Sequence, residues 1–145
     1  MNAPAAVYVL ARNEAANLAR CLSSLAAAGL PAIVLDSGST DGTAGIARLF
    51  PDVALRDYRY RTHCDSYNEI TNWHTAREFV LVLDADMQVD RPLLEAIGDC
   101  FRDDDAVDAV IAPVTMFWEG QPVPHSSLYP PKPVAFRGGR SCFEP

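Results

Sequence analysis

The sequence predicts an α/β fold with a mostly parallel central sheet. Three observations carry the prediction. Short apolar, partly β-branched runs alternate with segments of helical periodicity along residues 1–112. The connections between them are short, and parallel strands joined in this way need helices as crossovers. Polar clusters follow the first, second and fourth predicted strands, the edge where open parallel sheets bind ligands.

The elements follow in order. Ala6–Ala11 (AVYVLA) reads as a buried strand. From Asn13 to Ala28, Leu18, Cys21, Leu22 and Leu25 recur at helical spacing, with Asn13 a candidate N-cap, Gly29 a C-terminal stop and Pro31 beyond it. Ala32–Leu35 is a second strand, running into the turn-rich Asp36–Thr43. A helix is expected over 42–50 with Asp41 as cap, then a strand over Val53–Arg56 and a weaker helical pattern over 62–76. Phe79–Leu83 (FVLVL) is the clearest central strand. Pro92 suits the first turn of a helix ending near Phe101, and Val107–Ala112 reads as the fifth strand. Beyond Pro113 the chain holds six of its eleven prolines and three of its eight glycines, which predicts extended segments and loops. The organisation expected is an α/β domain over 1–112 and a Pro/Gly-rich segment of the same domain over 113–145.

At 145 residues, 49% apolar and 21% charged, the chain has globular proportions, which excludes a disordered, coiled-coil or collagen-like chain. No apolar run approaches the ~20 residues that span a bilayer, and no secretion signal is visible, so a cytoplasmic protein is expected. The net charge of −7 disfavours nucleic acid and anionic membrane as non-specific partners. The four cysteines are widely spaced, with no Cys-x-x-Cys, and read as reduced thiols.

The chemistry is concentrated at the strand ends. Asp84-Ala85-Asp86 places two carboxylates directly after a buried strand, a hard-oxygen set for Mg²⁺ or Mn²⁺ with positions left for phosphate. Alone, Asp-x-Asp is also an ordinary solvated turn. Asp36 and Ser37 offer an acceptor and donors for a base or ribose, while Asp41 reads as a cap. Arg12-Asn13-Glu14 reads either as a helix start or as a nucleotide contact. There is no dinucleotide-type or P-loop glycine motif. Trp73 and His74 read as a helix face and its end, Trp118 as packing or an acceptor contact, and Asp103–Asp105 as solvated surface.

LARNEAANLARCLSSL, IVLDSGSTDGT and EFVLVLDADMQVD, in this order and spacing, resemble family 2 glycosyltransferases of the GT-A fold. The bacterial lipopolysaccharide core β-glycosyltransferases are a similar group. The resemblance implies a Rossmann-like GT-A nucleotide-diphospho-sugar transferase fold with helices on both faces of the sheet. It implies a nucleoside-diphosphate-sugar donor, often uridine-linked, and a carbohydrate or lipid-linked saccharide acceptor, so that the domain could work at the inner face of the membrane.

Carried over residue by residue, the resemblance gives Arg12, Asn13 and Glu14 the nucleotide pocket and Asp36 the base. It gives Asp84 the ribose and metal, and Asp86 the Mg²⁺ or Mn²⁺ that bridges the diphosphate. Asn68 matches the Asn of the helix before the Asp-x-Asp strand. The basic residue common before that Asn is Tyr67 here, leaving phosphate contacts to Arg59 or Arg61. Tyr129, Lys132 and Arg137 are candidates for the sugar or diphosphate. Inverting transfer needs a general base to deprotonate the acceptor hydroxyl. In the family a carboxylate beyond the segment resembling RGGRSCFEP fills that role, so the base is expected past Pro145. Glu144 matches an earlier position, and His125 reads as an exposed loop residue. The competing readings are a catalytically silent nucleotide-sugar-binding module, or a domain lacking the base, and a sugar-1-phosphate nucleotidyltransferase. The last is disfavoured because its N-terminal basic, glycine-rich loop is absent.

Overall fold

The computed structural model describes residues 3–103, 106–123 and 130–144. The elements in chain order are β1 (Ala6–Ala11), α1 (Leu18–Ala27), β2 (Ala32–Asp36), α2 (Thr43–Ala47), β3 (Val53–Asp57), α3 (His63–Asn72), β4 (Phe79–Asp84), α4 (Arg91–Asp103), β5 (Ala109–Ala112), β6 (Met116–Trp118), β7 (Gln121–Val123) and β8 (Lys132–Arg137). Six strands form one sheet in the order β3-β2-β1-β4-β8-β5, and β6 and β7 form a separate two-stranded hairpin.

Strand β1 is parallel to both β2 and β4, its partners on either side. The direction of winding reverses there, so a crevice opens at the carboxyl edge of the sheet. Register fixes what meets at that crevice. Ala11 lies beside Asp36, Leu10 beside Asp84, and Asp36 beside Asp57.

The alternation of side chains along the strands builds two cores. Val7, Val9 and Ala11 of β1 pack with Leu18, Cys21, Leu22 and Leu25 of α1 and Leu94, Ile97 and Phe101 of α4. Tyr8 and Leu10 face the other way, with Tyr67 and Ile70 of α3 and Phe136 of β8. Helices therefore cover both faces, as expected. Burying a leucine such as Leu22, 1% exposed, contributes about 1.5–3 kcal/mol.

Helix boundaries differ where capping decides them. Helix α1 begins at Leu18 rather than Asn13, because Asn13 adopts the left-handed region at φ 55°. Helix α3 starts at His63, where the Thr62 hydroxyl accepts from the Asp65 amide at 3.0 Å. Its last residue is Asn72, with Trp73 and His74 at its end as expected. Asp90 accepts from the Leu93 amide at 2.9 Å at the start of α4.

The main departure is β8. The fifth strand is shorter than expected, Ala109–Ala112, and does not lie beside β4. Strand β8 from the Pro-rich segment sits between them, antiparallel to both. Its apolar residues Val134, Ala135 and Phe136 are buried. Pro133 is accommodated because it lies opposite Ile111, where the ladder with β5 shifts register, and proline is tolerated at such irregularities.

Strand β8 leads into a tight corner. The Gly138 amide donates to Glu78 and the Gly139 amide to Thr71. A Cβ at Gly138 would stand 2.5 Å from the backbone carbon of His74. His74 is itself tied to the Tyr8 hydroxyl at 2.9 Å, so it cannot withdraw freely. Gly138→Ala is therefore expected to destabilise the fold by about 1–3 kcal/mol, lowering the thermal midpoint followed by circular dichroism; an unchanged midpoint would contradict this packing.

Candidate functional site

Strand β1 delivers Arg12-Asn13-Glu14 to the crevice, and β2 delivers Asp36–Thr43. The two loops are bonded together. The Asn13 amide donates to Ser39 Oγ at 2.9 Å, and Asn13 Oδ1 accepts from the Thr40 amide at 2.9 Å. The Glu14 amide donates to Thr43 Oγ1 at 2.8 Å, and the Ala15 amide to Asp41 Oδ2 at 3.1 Å. Asn13 is thus a loop clamp and not the N-cap of α1. The Glu14 carboxylate accepts from Asn17 Nδ2 at 2.9 Å. Of the three residues only Arg12 lines the cleft.

That cleft holds about 590 Å³ and lies between Arg12, the Asp36-Ser37-Gly38 turn and the segment Asp57–Tyr60. Asp36 is 7% exposed. Its Oδ1 accepts from both the Ser39 amide, at 3.2 Å, and the Ser39 hydroxyl. Among the described residues its Oδ2 accepts nothing. Gly38 takes φ +75°, which a residue with a Cβ adopts only with strain. Arg59 reaches the cleft, whereas Arg61 is solvent-exposed and 3.9 Å from Asp65.

Strand β4 ends at Asp84, 24% exposed, and Asp86 stands exposed two residues on. Asp84 Oδ1 accepts from His63 Nε2 at 3.0 Å, and Oδ2 pairs with the Lys132 ammonium. His63 Nδ1 is 2.7 Å from the Tyr60 hydroxyl. Beneath them lies Cys21, whose buried thiol is pushed up to about 12 by burial and then by the negative fields of Asp86 and Asp84. It therefore stays protonated and inert.

A profile for glycosyl transferase family 2 matches residues 6–143. The chain belongs to this family. Among solved structures it is similar to a mannosyltransferase from Pyrobaculum calidifontis in complex with GDP-Man and Mn²⁺, with a TM-score of 0.57 and 27% identity. That match covers 79% of this chain and 36% of the mannosyltransferase, so the chain spans about a third of that protein's length. It also shares its fold with a 4-diphosphocytidyl-2C-methyl-D-erythritol synthase, at a TM-score of 0.61 and 15% identity over 92% of this chain and 74% of that one. A search of curated proteins finds no match.

The similar mannosyltransferase holds Mn²⁺, and the residues here fit a divalent cation in part. Asp86 presents an open carboxylate, while both oxygens of Asp84 already have protein partners. Among the described residues no group of three His, Cys, Asp or Glu gathers to complete a shell. This donor set suits a cation completed by substrate phosphate oxygens.

The remaining candidate residues separate clearly. The Asn68 amide holds the tail, donating to the Phe143 carbonyl at 2.8 Å and accepting from its amide at 2.8 Å. Arg137 does not approach the cleft. It is 3% exposed at the far end of β8, donates to Val107 and Phe101 carbonyls and stacks over the Phe101 ring. Trp118 is 71% exposed on the β6–β7 hairpin, so the packing expectation fails. Glu144 is exposed, and its carbonyl accepts from the Cys64 thiol at 3.2 Å. His125, Tyr129, Asp104 and Asp105 lie outside the described residues. Sequence reasoning missed Asp57, Tyr58, Tyr60 and His63. The strand-end rule applied to β3 would have found the first three; His63 has no local signal.

Asp41 accepts from the Thr43 hydroxyl, the Thr43 amide at 2.9 Å and the Ala15 amide, and these bonds hold its carboxyl below the usual range. A carboxylate with a depressed folded-state pKa contributes stability above its unfolded value and loses it as pH falls through the folded value. Asp41→Asn is expected to lower the thermal midpoint at neutral pH. The gap from wild type should narrow below about pH 4; a gap independent of pH would contradict the assignment.

Proposed function

We propose that this domain binds a nucleoside-diphosphate sugar, uridine-linked, with Mg²⁺ or Mn²⁺, and transfers the sugar with inversion to a carbohydrate or lipid-linked saccharide. The observation that carries the reading is the placement of Asp36 and the Asp84–Asp86 pair on either side of β1 at one sheet edge. A cleft of about 590 Å³ at that edge has the size of a small-ligand site.

The roles follow from chemistry. Asp36 has one oxygen occupied by Ser39 and one open. A single open acceptor suits the one imide N–H of uracil. Arg12, Arg59 and Ser37 line the same cleft and supply donors for ribose and phosphate oxygens. Asp86, with Asp84, would hold the cation, which supplies charge stabilisation to the departing diphosphate. Asn13 and Glu14 keep the loops in register around the nucleotide, and Asn68 keeps the tail against α3. Ala85, 1% exposed between the two acids, leaves both carboxylates outside the core. The free thiols support a cytoplasmic setting, at or near the inner face of the membrane where a lipid-linked acceptor would be met. No described helix is long and apolar enough to cross a membrane.

A guanosine-linked donor is the second reading, favoured by the GDP-Man bound in the 27%-identical mannosyltransferase. Guanine presents two donors on one edge and would need both oxygens of a carboxylate. Calorimetry with UDP and GDP in Mn²⁺ decides between them. UDP is expected to bind more tightly, and Asp36→Ala should erase the preference; tighter GDP binding overturns the uridine assignment. Asp86→Ala should weaken Mn²⁺-dependent nucleotide binding by about 100-fold or more with an unchanged circular dichroism spectrum. Unaltered affinity in Mn²⁺ would remove Asp86 from the metal site. A radiolabelled UDP-sugar, with product analysis, separates a transferase from a silent binding module.

A further inference from the structure

Asp84 differs from Asp86 in a way the motif does not disclose. Asp86 is exposed, whereas Asp84 is only 24% exposed and both of its oxygens are engaged. His63 donates to one and the Lys132 ammonium to the other. Lys132 is the chain's single lysine, and it arrives from 48 residues away in sequence.

The sheet topology makes this meeting. Strand β8 runs antiparallel to β4, with Ala135 opposite Leu81 and Phe136 opposite Val80. Continuing that register three residues back brings Lys132 opposite Asp84. Its side chain is 21% exposed, so the pair is half-buried on both sides. Charges in such a setting interact more strongly than an exposed surface pair. Lysine rather than arginine is suited to exchange, because its ammonium is a point charge on a flexible stem.

A cation at Asp84 and Asp86 would stand beside this ammonium, and like charges there repel. We propose that Lys132 is a built-in counter-cation of Asp84 that couples metal binding to nucleotide binding. With the cleft empty, the ammonium neutralises Asp84 and weakens the affinity of the site for a divalent cation. When a diphosphate arrives, its oxygens offer the ammonium a second set of acceptors. Lys132 moves from the carboxylate to the phosphate and frees Oδ2 of Asp84, while His63 keeps Oδ1. Metal and nucleotide thereby raise each other's affinity, since coupling between sites is reciprocal. Lys132 is a positioning residue toward the metal site and a phosphate contact once released. The inference rests on the reading of Asp84 and Asp86 as the metal carboxylates.

The test is Mn²⁺ titration calorimetry on the full chain, without nucleotide and with saturating UDP or GDP. Without nucleotide, Lys132→Gln is expected to bind Mn²⁺ about tenfold more tightly than wild type, and Lys132→Arg about as weakly as wild type. With nucleotide, the advantage of Lys132→Gln should disappear. Lys132→Met, which keeps the length and packing of the stem, is measured alongside, with thermal melts to confirm that each variant is folded. Equal Mn²⁺ affinity of wild type and both neutral variants without nucleotide overturns the inference and leaves the metal site standing. Failure of every protein to bind Mn²⁺ under any condition, or binding that Asp86→Ala does not change, overturns the metal reading and the inference with it.

Discussion

The parallel pairing of β1 with β2 on one side and β4 on the other is the constraint on which the site depends. It sets Ala11 against Asp36 and Leu10 against Asp84, so two acids far apart in sequence end on one edge of the sheet. A slip of one residue in either ladder would turn every side chain of a strand to the opposite face. The two cores resist such a slip. Val9 is fully buried toward α1, and Tyr8, 3% exposed, is held on the other side by α3 and by His74 just beyond it.

The loops add local order to this register. The β1–α1 and β2–α2 connections are joined by bonds from Asn13, Glu14 and Ala15 to Ser39, Thr40, Asp41 and Thr43. Their polar residues serve each other first, which leaves Arg12, Ser37 and one oxygen of Asp36 for a ligand. That division of labour reconciles capping and binding in a stretch where either alone would suit the composition. On the proposed reading it also lets an acidic chain receive phosphates. The cleft carries Arg12 and Arg59, and Asp84 is balanced by Lys132.

Much of this was legible in the sequence. FVLVL followed by Asp-Ala-Asp identified β4 and its carboxylates, because a strand buried on both faces is an unbroken apolar run. Leu18, Cys21, Leu22 and Leu25 identified α1, because helical spacing places them on one face. Asn13 reads in sequence as a cap or a nucleotide contact and is neither a cap nor a cleft residue, since the same side chain that caps helices also favours left-handed backbone and bridges loops. Strand β8 was hidden by Pro130, Pro131 and Pro133, which read as loop until the bulge opposite Pro133 is seen. Arg137 is a candidate for the sugar or diphosphate in sequence only, because an arginine stacked in a core and one at a binding site look alike there.

By itself the sequence determined the α/β class, the positions of the first four strands along the chain and the strand ends at which Arg12, Asp36, Asp84 and Asp86 stand. Periodicity and turn chemistry are local, and they settle local structure. The tertiary structure alone decided what lies beside those residues. Inserting β8 between β4 and β5 put Lys132 on Asp84 and sent Arg137 to the far edge. Helix α3 brought His63 to the same carboxylate, and Asn68 to the tail. These meetings depend on strand order and direction across long loops, and no short window of sequence encodes them.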